Sequence, residues 1–169
     1  MLATENAVGH NPTALGLMAL LAALMIAAAI SDLRSRTISN ALNAAIALLA
    51  IPFWFASGLL AWPEMPLQFA AAFGVFLAFA GLFAIGAMGG GDVKMIGAVM
   101  LWIPLPLFMP TLTVMAIAGG LLSGAMLIHI KLRPSQKPVE VPYGVAIAAA
   151  GLWALHQHYL NQFQSIASA

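Results

Sequence analysis

The chain has 169 residues, of which 63% are hydrophobic and 7% are charged, and its mean hydropathy is +0.99. A water-soluble domain carries roughly 25% charged residues, so this composition excludes a soluble protein and predicts one integral membrane domain over residues 1–169. The net charge of +1 and the lack of basic clusters argue against nucleic-acid binding. The absence of cysteine excludes disulfides, thiol catalysis and cysteine-ligated zinc.

Apolar segments follow one another along the whole chain. Residues 1–12 contain no Lys or Arg, which argues against a cleaved secretory signal peptide. The predicted fold is all-α, a polytopic membrane bundle of about six transmembrane helices. The spans are expected at about Thr13–Ile30, Ala41–Leu60, Leu67–Gly86, Val93–Met109, Thr111–Ile130 and Tyr143–His158. Pro104 and Pro106 interrupt the fourth segment, and its regular part, Met95–Ile103, is too short to cross alone. Asn40 is expected to cap the second helix.

The charges segregate between alternate links. The first, third and fifth links hold all six basic residues: Arg34, Arg36, Lys94, Lys131, Arg133 and Lys137. By the positive-inside rule these links are cytoplasmic, and both termini lie outside. Trp62, Trp102 and Trp153 fall toward the opposite ends of their spans, where an aromatic belt is expected.

The chain contains only two aspartates, Asp32 and Asp92, and both are predicted at the cytoplasmic ends of apolar segments. Asp92 follows the run Gly89-Gly90-Gly91, which predicts an irregular segment, and irregular backbone at membrane depth normally lines a cavity. Two simpler interpretations stay open. Asp92 could be the N-cap of the fourth helix, and Asp32 could be a charge released into the first link.

Paired carboxyls carry a definite chemistry. Two adjacent carboxyls cannot both ionise cheaply, so one keeps a proton and the pair supplies a general acid and a general base. The base takes a proton from water, which attacks a peptide carbonyl polarised by the acid. This reaction needs no metal, no cofactor and no covalent intermediate, and it predicts an aspartic-type endopeptidase.

Three sequence motifs make the prediction specific. Gly89-Gly90-Gly91-Asp92, followed by Val93-Lys94, resembles the Gly-x-Gly-Asp motif of type IV prepilin peptidases. The stretch from Asp32 through Arg36 and Ile38 to Asn40 resembles that family's first aspartate motif, with Ser39 in place of the usual proline. Val141-Pro142-Tyr143-Gly144 resembles the entry to its last helix. The supporting positions are Gly89, Gly91, Lys94, Arg36, Asn40, Pro142, Tyr143 and Gly144.

The resemblance implies a bacterial inner-membrane enzyme that removes the short basic leader of a prepilin or pseudopilin at the cytoplasmic face. Larger family members also methylate the new N-terminus and carry a cytoplasmic insert with paired cysteines between the first two helices. Here only Ser31–Asn40 occupies that place. The chain therefore resembles the small form associated with Flp-type pili, which argues against methyltransferase activity.

Other interpretations remain at this point. Lys94 follows Asp92 by two positions and points to another helix face, so we expect an interface anchor instead of a catalytic partner. Tyr143 could sit at the interface or line the substrate site.

The same aspartates could serve a small proton-coupled transporter, although no internal repeat is apparent. The small residues Ala116, Gly120 and Gly124 predict a helix contact within the bundle or between copies, and the oligomeric state and the pilin remain open.

Overall fold

The computed structural model describes residues 11–59, 61–132 and 141–157. This part of the chain contains six α-helices and one short 3₁₀ turn, which confirms the predicted all-α class and helix count. The helices are α1 (Pro12–Ser35), α2 (Asn40–Ala56), α3 (Glu64–Ala84), α4 (Gly90–Met100), α5 (Phe108–Leu132) and α6 (Tyr143–Leu155), with the 3₁₀ turn at Leu105–Leu107.

Helix lengths differ strongly across the bundle. Three segments have the length and apolar composition to cross a membrane: Pro12–Ser35, Glu64–Ala84 and Leu105–His129. The apolar helices α2 and α6 have 17 and 13 residues, and α4 has 11. Large apolar side chains remain exposed on the outer surfaces, as at Phe55 and Leu121. Such a surface suits contact with lipid acyl chains.

The short helix α4 lies at the centre of the bundle. It packs against α2, α3 and α6, while α1 packs against α2 and α6, and α5 against α6. Six of its residues are buried: Val93, Met95, Ile96, Ala98, Val99 and Met100. Since α4 is enclosed by protein, its length does not have to match the bilayer. Its N-terminus carries Asp92, so the packing of α4 decides where that carboxyl lies.

The predicted fourth span to Met109 is wrong, because α4 ends at Met100 and α5 begins at Phe108. The last carbonyl groups of a helix have no hydrogen-bond donor within the helix. At the end of α4, side chains from neighbouring helices provide these donors. Gln68 Nε2 donates to the carbonyls of Met100 and Ile103 at 2.9 and 2.7 Å. Trp54 Nε1 donates to the carbonyl of Leu101 at 2.8 Å. These bonds fix the end of α4 inside the bundle.

Trp102 does not belong to an interfacial aromatic belt. It is 1% exposed, its ring stacks on Phe53 with centroids 4.7 Å apart, and its Nε1 donates to the carbonyl of Ile46 at 2.8 Å. A buried indole needs such an acceptor, and the end of α4 places Trp102 beside one. Trp62, in contrast, is 78% exposed, as expected of a belt residue.

The small-residue stripe of α5 does not form the contact with α6. Gly120 and Gly124 have open space where a Cβ would lie. The close approach occurs at Gly119 instead, where a Cβ would be 2.7 Å from Cε1 of Tyr143. One position along a helix rotates the side-chain direction by about 100°, so the stripe and the contact lie on different faces. In the described part of the chain, the prediction of packing within the bundle through Gly120 and Gly124 is therefore wrong.

Candidate active site

Asp32 lies in the last turns of α1 and is buried, with 4% of its surface exposed. Its Oδ2 accepts the backbone N–H of Gly144 at 2.8 Å. Gly144 is in the first turn of α6, where backbone N–H groups lack intrahelical partners and the helix dipole favours a negative charge. The interpretation of Asp32 as a charge released into the link is therefore wrong.

Gly144 is required by this close approach. A Cβ at that position would lie 2.8 Å from both Asp32 Oδ2 and Ile38 Cδ1. Pro142 is the N-cap residue of α6, and the ring of Tyr143 packs on Gly119 of α5. Gly144 is therefore the residue through which this motif contacts Asp32.

Asp92 is half-buried in the first turn of α4. The N-cap of this helix is Gly89, so the interpretation of Asp92 as the cap is wrong. A Cβ at Gly89 would lie 2.9 Å from Asp92 Oδ2, and glycine therefore leaves room for the carboxyl. The glycine run is only partly irregular. Gly89 is extended, with a φ of −72° and a ψ of 141°, whereas Gly90 and Gly91 are already helical.

Ile38, which belongs to the first aspartate motif, packs against glycines of the other two motifs. It is 7% exposed, its Cδ1 reaches Gly144, and its backbone lies 3.4–3.5 Å from where a Cβ at Gly91 would be. The fold thus brings the ends of α1, α4 and α6 to one end of the bundle, with Ile38 between them.

The link between α1 and α2 is short and held by hydrogen bonds. Arg36 has a φ of +55°, and its N–H donates to the carbonyl of Asp32 at 3.0 Å, which ends α1. Ser31 Oγ donates to the carbonyl of Thr37 at 2.9 Å. The cap of α2 is Ser39, whose hydroxyl accepts the N–H of Leu42 at 3.2 Å, and not Asn40 as predicted. Ser39 stands where the family motif usually has proline, and serine is a favoured N-cap residue.

Lys94 and Asn40 meet beside the aspartates. Lys94 is exposed, and its Nζ donates to Asn40 Oδ1 at 2.8 Å. Arg36 has its Nη1 buried without a hydrogen-bond partner in the described part of the chain.

Asn43, which sequence reasoning missed, donates through Nδ2 to the carbonyl of Gly91 at 3.1 Å. The sequence signal that could have identified Asn43 is an amide side chain within an apolar run, three residues after Asn40.

Metal binding finds no support in the described residues, which hold no group of three His, Cys, Asp or Glu side chains able to bind an ion. The site has two acidic side chains instead, each beside a glycine that leaves it room. Two carboxyl groups that lie close together can provide a general acid and a general base.

Comparison with protein-family models matches residues 19–124 to the type IV leader peptidase family. The matched stretch runs from α1 into α5 and contains Asp32 and Asp92, whereas Val141–Gly144 lies beyond it. Comparison with curated proteins and with solved structures gave no match.

Proposed function

Since the match covers more than half of its length, the chain belongs to the type IV leader peptidase family, and we propose that it is an aspartyl endopeptidase with Asp32 and Asp92 as its catalytic pair. The observation that carries the proposal is that Ile38, in the first aspartate motif, packs against a glycine of each of the other two motifs: Gly144 beside Asp32, and Gly91 before Asp92. Both aspartates lie within the stretch that matches the family.

The proposed reaction is direct hydrolysis of a peptide bond. One carboxylate takes a proton from water as the water oxygen attacks the scissile carbonyl carbon, and the other carboxyl gives its proton to the carbonyl oxygen. The tetrahedral intermediate then collapses. As the C–N bond breaks, the carboxyl that took the water proton gives it to the amine. The other carboxylate takes a proton from a hydroxyl of the intermediate, which becomes the product carboxyl group, and the pair returns to its starting state. The bond from Gly144 holds the Asp32 carboxyl in one orientation during these steps.

The proposed substrate is a prepilin or pseudopilin with a short basic leader and a following apolar helix. We place the reaction at the cytoplasmic face of a bacterial inner membrane, because Arg34 at the end of α1 and Lys131 at the end of α5 lie in links predicted to be cytoplasmic. The N- and C-termini would then lie outside. Only residues 36–39 separate α1 from α2, which leaves no room for a large insert and supports the small Flp-type form.

The test is leader removal from a co-expressed Flp-type prepilin. We expect a shorter pilin on gels, with the new N-terminus directly before the apolar helix and unmethylated by mass spectrometry. Full-length prepilin in the presence of abundant, membrane-inserted enzyme would contradict the proposed function. A methylated N-terminus would contradict only the proposal that methylation is absent.

A further inference from the structure

Two buried amides contact the two ends of α4. Asn43 of α2 is 4% exposed and donates through Nδ2 to the carbonyl of Gly91, in the first turn of α4. Gln68 of α3 is 5% exposed and donates through Nε2 to two carbonyl groups at the other end. The two amides are alike in chemistry and burial, and they differ in the end of α4 that they hold. The end held by Asn43 carries Asp92.

The stability of the fold accounts for Gln68 better than for Asn43. The last carbonyl groups of a helix have no donor within the helix, so Gln68 supplies a partner that would otherwise be missing. The carbonyl of Gly91 lies at the beginning of α4, where the regular helix pattern provides the N–H four residues later. Asn43 also has a buried Oδ1 without a donor among the described residues, which lowers its net contribution to stability. A buried amide of this kind calls for another explanation.

The two aspartates are held in different ways. The Asp32 carboxyl accepts the N–H of Gly144, whereas the Asp92 carboxyl accepts no hydrogen bond from the residues that the structure describes. The position of the Asp92 side chain is therefore set by its backbone. The peptide group between Gly91 and Asp92 is a rigid plane, so a donor that holds the Gly91 carbonyl also restrains the Cα of Asp92. Asn43 is that donor.

A second hydrogen bond joins α2 to the first turn of α4, but it restrains the backbone less. Asn40 lies three residues before Asn43, on the same face of α2, and its Oδ1 accepts Lys94 Nζ at 2.8 Å. Both of these side chains are exposed, and a long exposed side chain keeps much of its conformational freedom. Asn43 is buried and bonds directly to the backbone, so it is the group through which α2 fixes this turn.

Resting on the proposed function, we propose that Asn43 is a positioning residue for the catalytic pair. It holds the peptide group before Asp92 so that the Asp92 carboxyl faces the scissile bond together with Asp32. Asn43 itself takes no part in proton transfer. Misplacing a catalytic group by about 1 Å can slow a reaction about a hundredfold. The loss falls on kcat and not on KM, because the bond orients a reacting group instead of binding substrate.

Steady-state cleavage of a purified Flp-type prepilin by the purified enzyme in detergent separates kcat from KM. Asn43→Leu and Asn43→Ala both remove the donor, and one new side chain is larger and the other smaller than asparagine, so a shared effect does not come from packing. Gln68→Leu and Gln68→Ala are the matched controls, because they remove the same group from the other end of the same helix. Asp92→Asn gives the rate of inactive enzyme. Thermal unfolding midpoints are measured on the same preparations.

Both Asn43 variants are expected to lose at least about tenfold in kcat, with KM within about twofold of wild type. Both Gln68 variants are expected to keep kcat within about threefold of wild type, per folded protein and below their midpoints. The order of stability should be the reverse, with a larger fall in midpoint for Gln68→Leu than for Asn43→Leu.

Three kinetic results would overturn the inference: wild-type kcat in either Asn43 variant, equal losses of kcat in the Asn43 and Gln68 variants, or a raised KM at unchanged kcat. Failure of both Asn43 variants to fold would also overturn it, because Asn43 would then be required for the fold itself. If the wild type cleaves and Asp92→Asn does not, the proposed function stands whichever of these results is found. If the wild type cleaves no prepilin, the proposed function and the inference fail together.

Discussion

The Oδ2 of Asp32 accepts the backbone N–H of Gly144 at 2.8 Å, although 112 positions separate the two residues in the chain. The bond joins the end of α1 to the beginning of α6, and glycine is the residue that leaves space for it. It also explains why a motif without an ionisable side chain belongs to the site. The backbone of α6 orients a carboxyl that α1 provides.

Gly144→Ala is expected to damage the site more than the fold. The new Cβ would lie 2.8 Å from Asp32 Oδ2 and must displace the carboxyl or Ile38. Overpacking of this kind costs about 1–3 kcal/mol of stability, and we expect leader removal to fall by more than that loss of folded protein explains. Gly16→Ala, with open space around it, is the control. Wild-type processing by Gly144→Ala would contradict the role given to this contact.

The two motif glycines before Asp92 should differ in sensitivity. A Cβ at Gly89 would meet Asp92 Oδ2 at 2.9 Å, whereas a Cβ at Gly91 would meet Ile38 at 3.4–3.5 Å, close to ordinary contact. Because the carboxyl can move, Gly89→Ala should fold normally and process prepilin much more slowly than Gly91→Ala. Processing at equal membrane abundance measures the order, and the reverse order would count against the geometry.

Sequence patterns predicted the helical class, the number of helices and the family. These predictions succeeded because long apolar runs, two aspartates in an apolar chain and a run of glycines can each be recognised directly in the sequence. They failed at the end of α4, where helix length is set by tertiary bonds. Gln68 and Trp54, from helices distant in sequence, donate to the carbonyls of Met100, Leu101 and Ile103.

The sequence identified most residues of the candidate site, but it did not show which of them are in contact. Asp32, Asp92 and Gly144 are recognisable in the sequence, but nothing in it shows that the N–H of Gly144 meets Asp32. Ile38 was identified only as part of the first aspartate motif, and Asn43 was missed although its amide lies within an apolar run. Their importance comes from what the fold places against them.

Gln68→Leu is predicted to destabilise the bundle. It removes donors from the buried carbonyls of Met100 and Ile103, and each unsatisfied buried group costs about 1–3 kcal/mol. The thermal unfolding midpoint in detergent should fall clearly. The neighbouring Leu67→Ala, at a side chain that is 55% exposed, should change stability by less than about 0.5 kcal/mol. Equal midpoints for the two variants would show that these bonds do not hold α4 in place.

Reporter fusions test the orientation in the membrane. All six basic residues lie in alternate links or in the helix turns beside them, so fusions within residues 131–140 should report the cytoplasm and fusions after His158 the exterior. Paired alkaline phosphatase and green fluorescent protein reporters would give opposite signals at each site. A cytoplasmic C-terminus would refute the proposed topology.

The central claim is that Asp32 and Asp92 perform one chemical step together. Asparagine keeps the shape of the side chain and removes its acid–base function, so Asp32→Asn and Asp92→Asn should each abolish leader removal in a folded, membrane-inserted protein. Groups that act as a unit are not additive, and the double variant should therefore be scarcely worse than either single one.

The most direct measurement is leader removal from a co-expressed prepilin by wild type, both single variants and the double variant, at matched membrane abundance. The account predicts cleaved pilin with wild type alone and uncleaved prepilin with the other three. Normal processing by either asparagine variant would contradict the proposed catalytic pair.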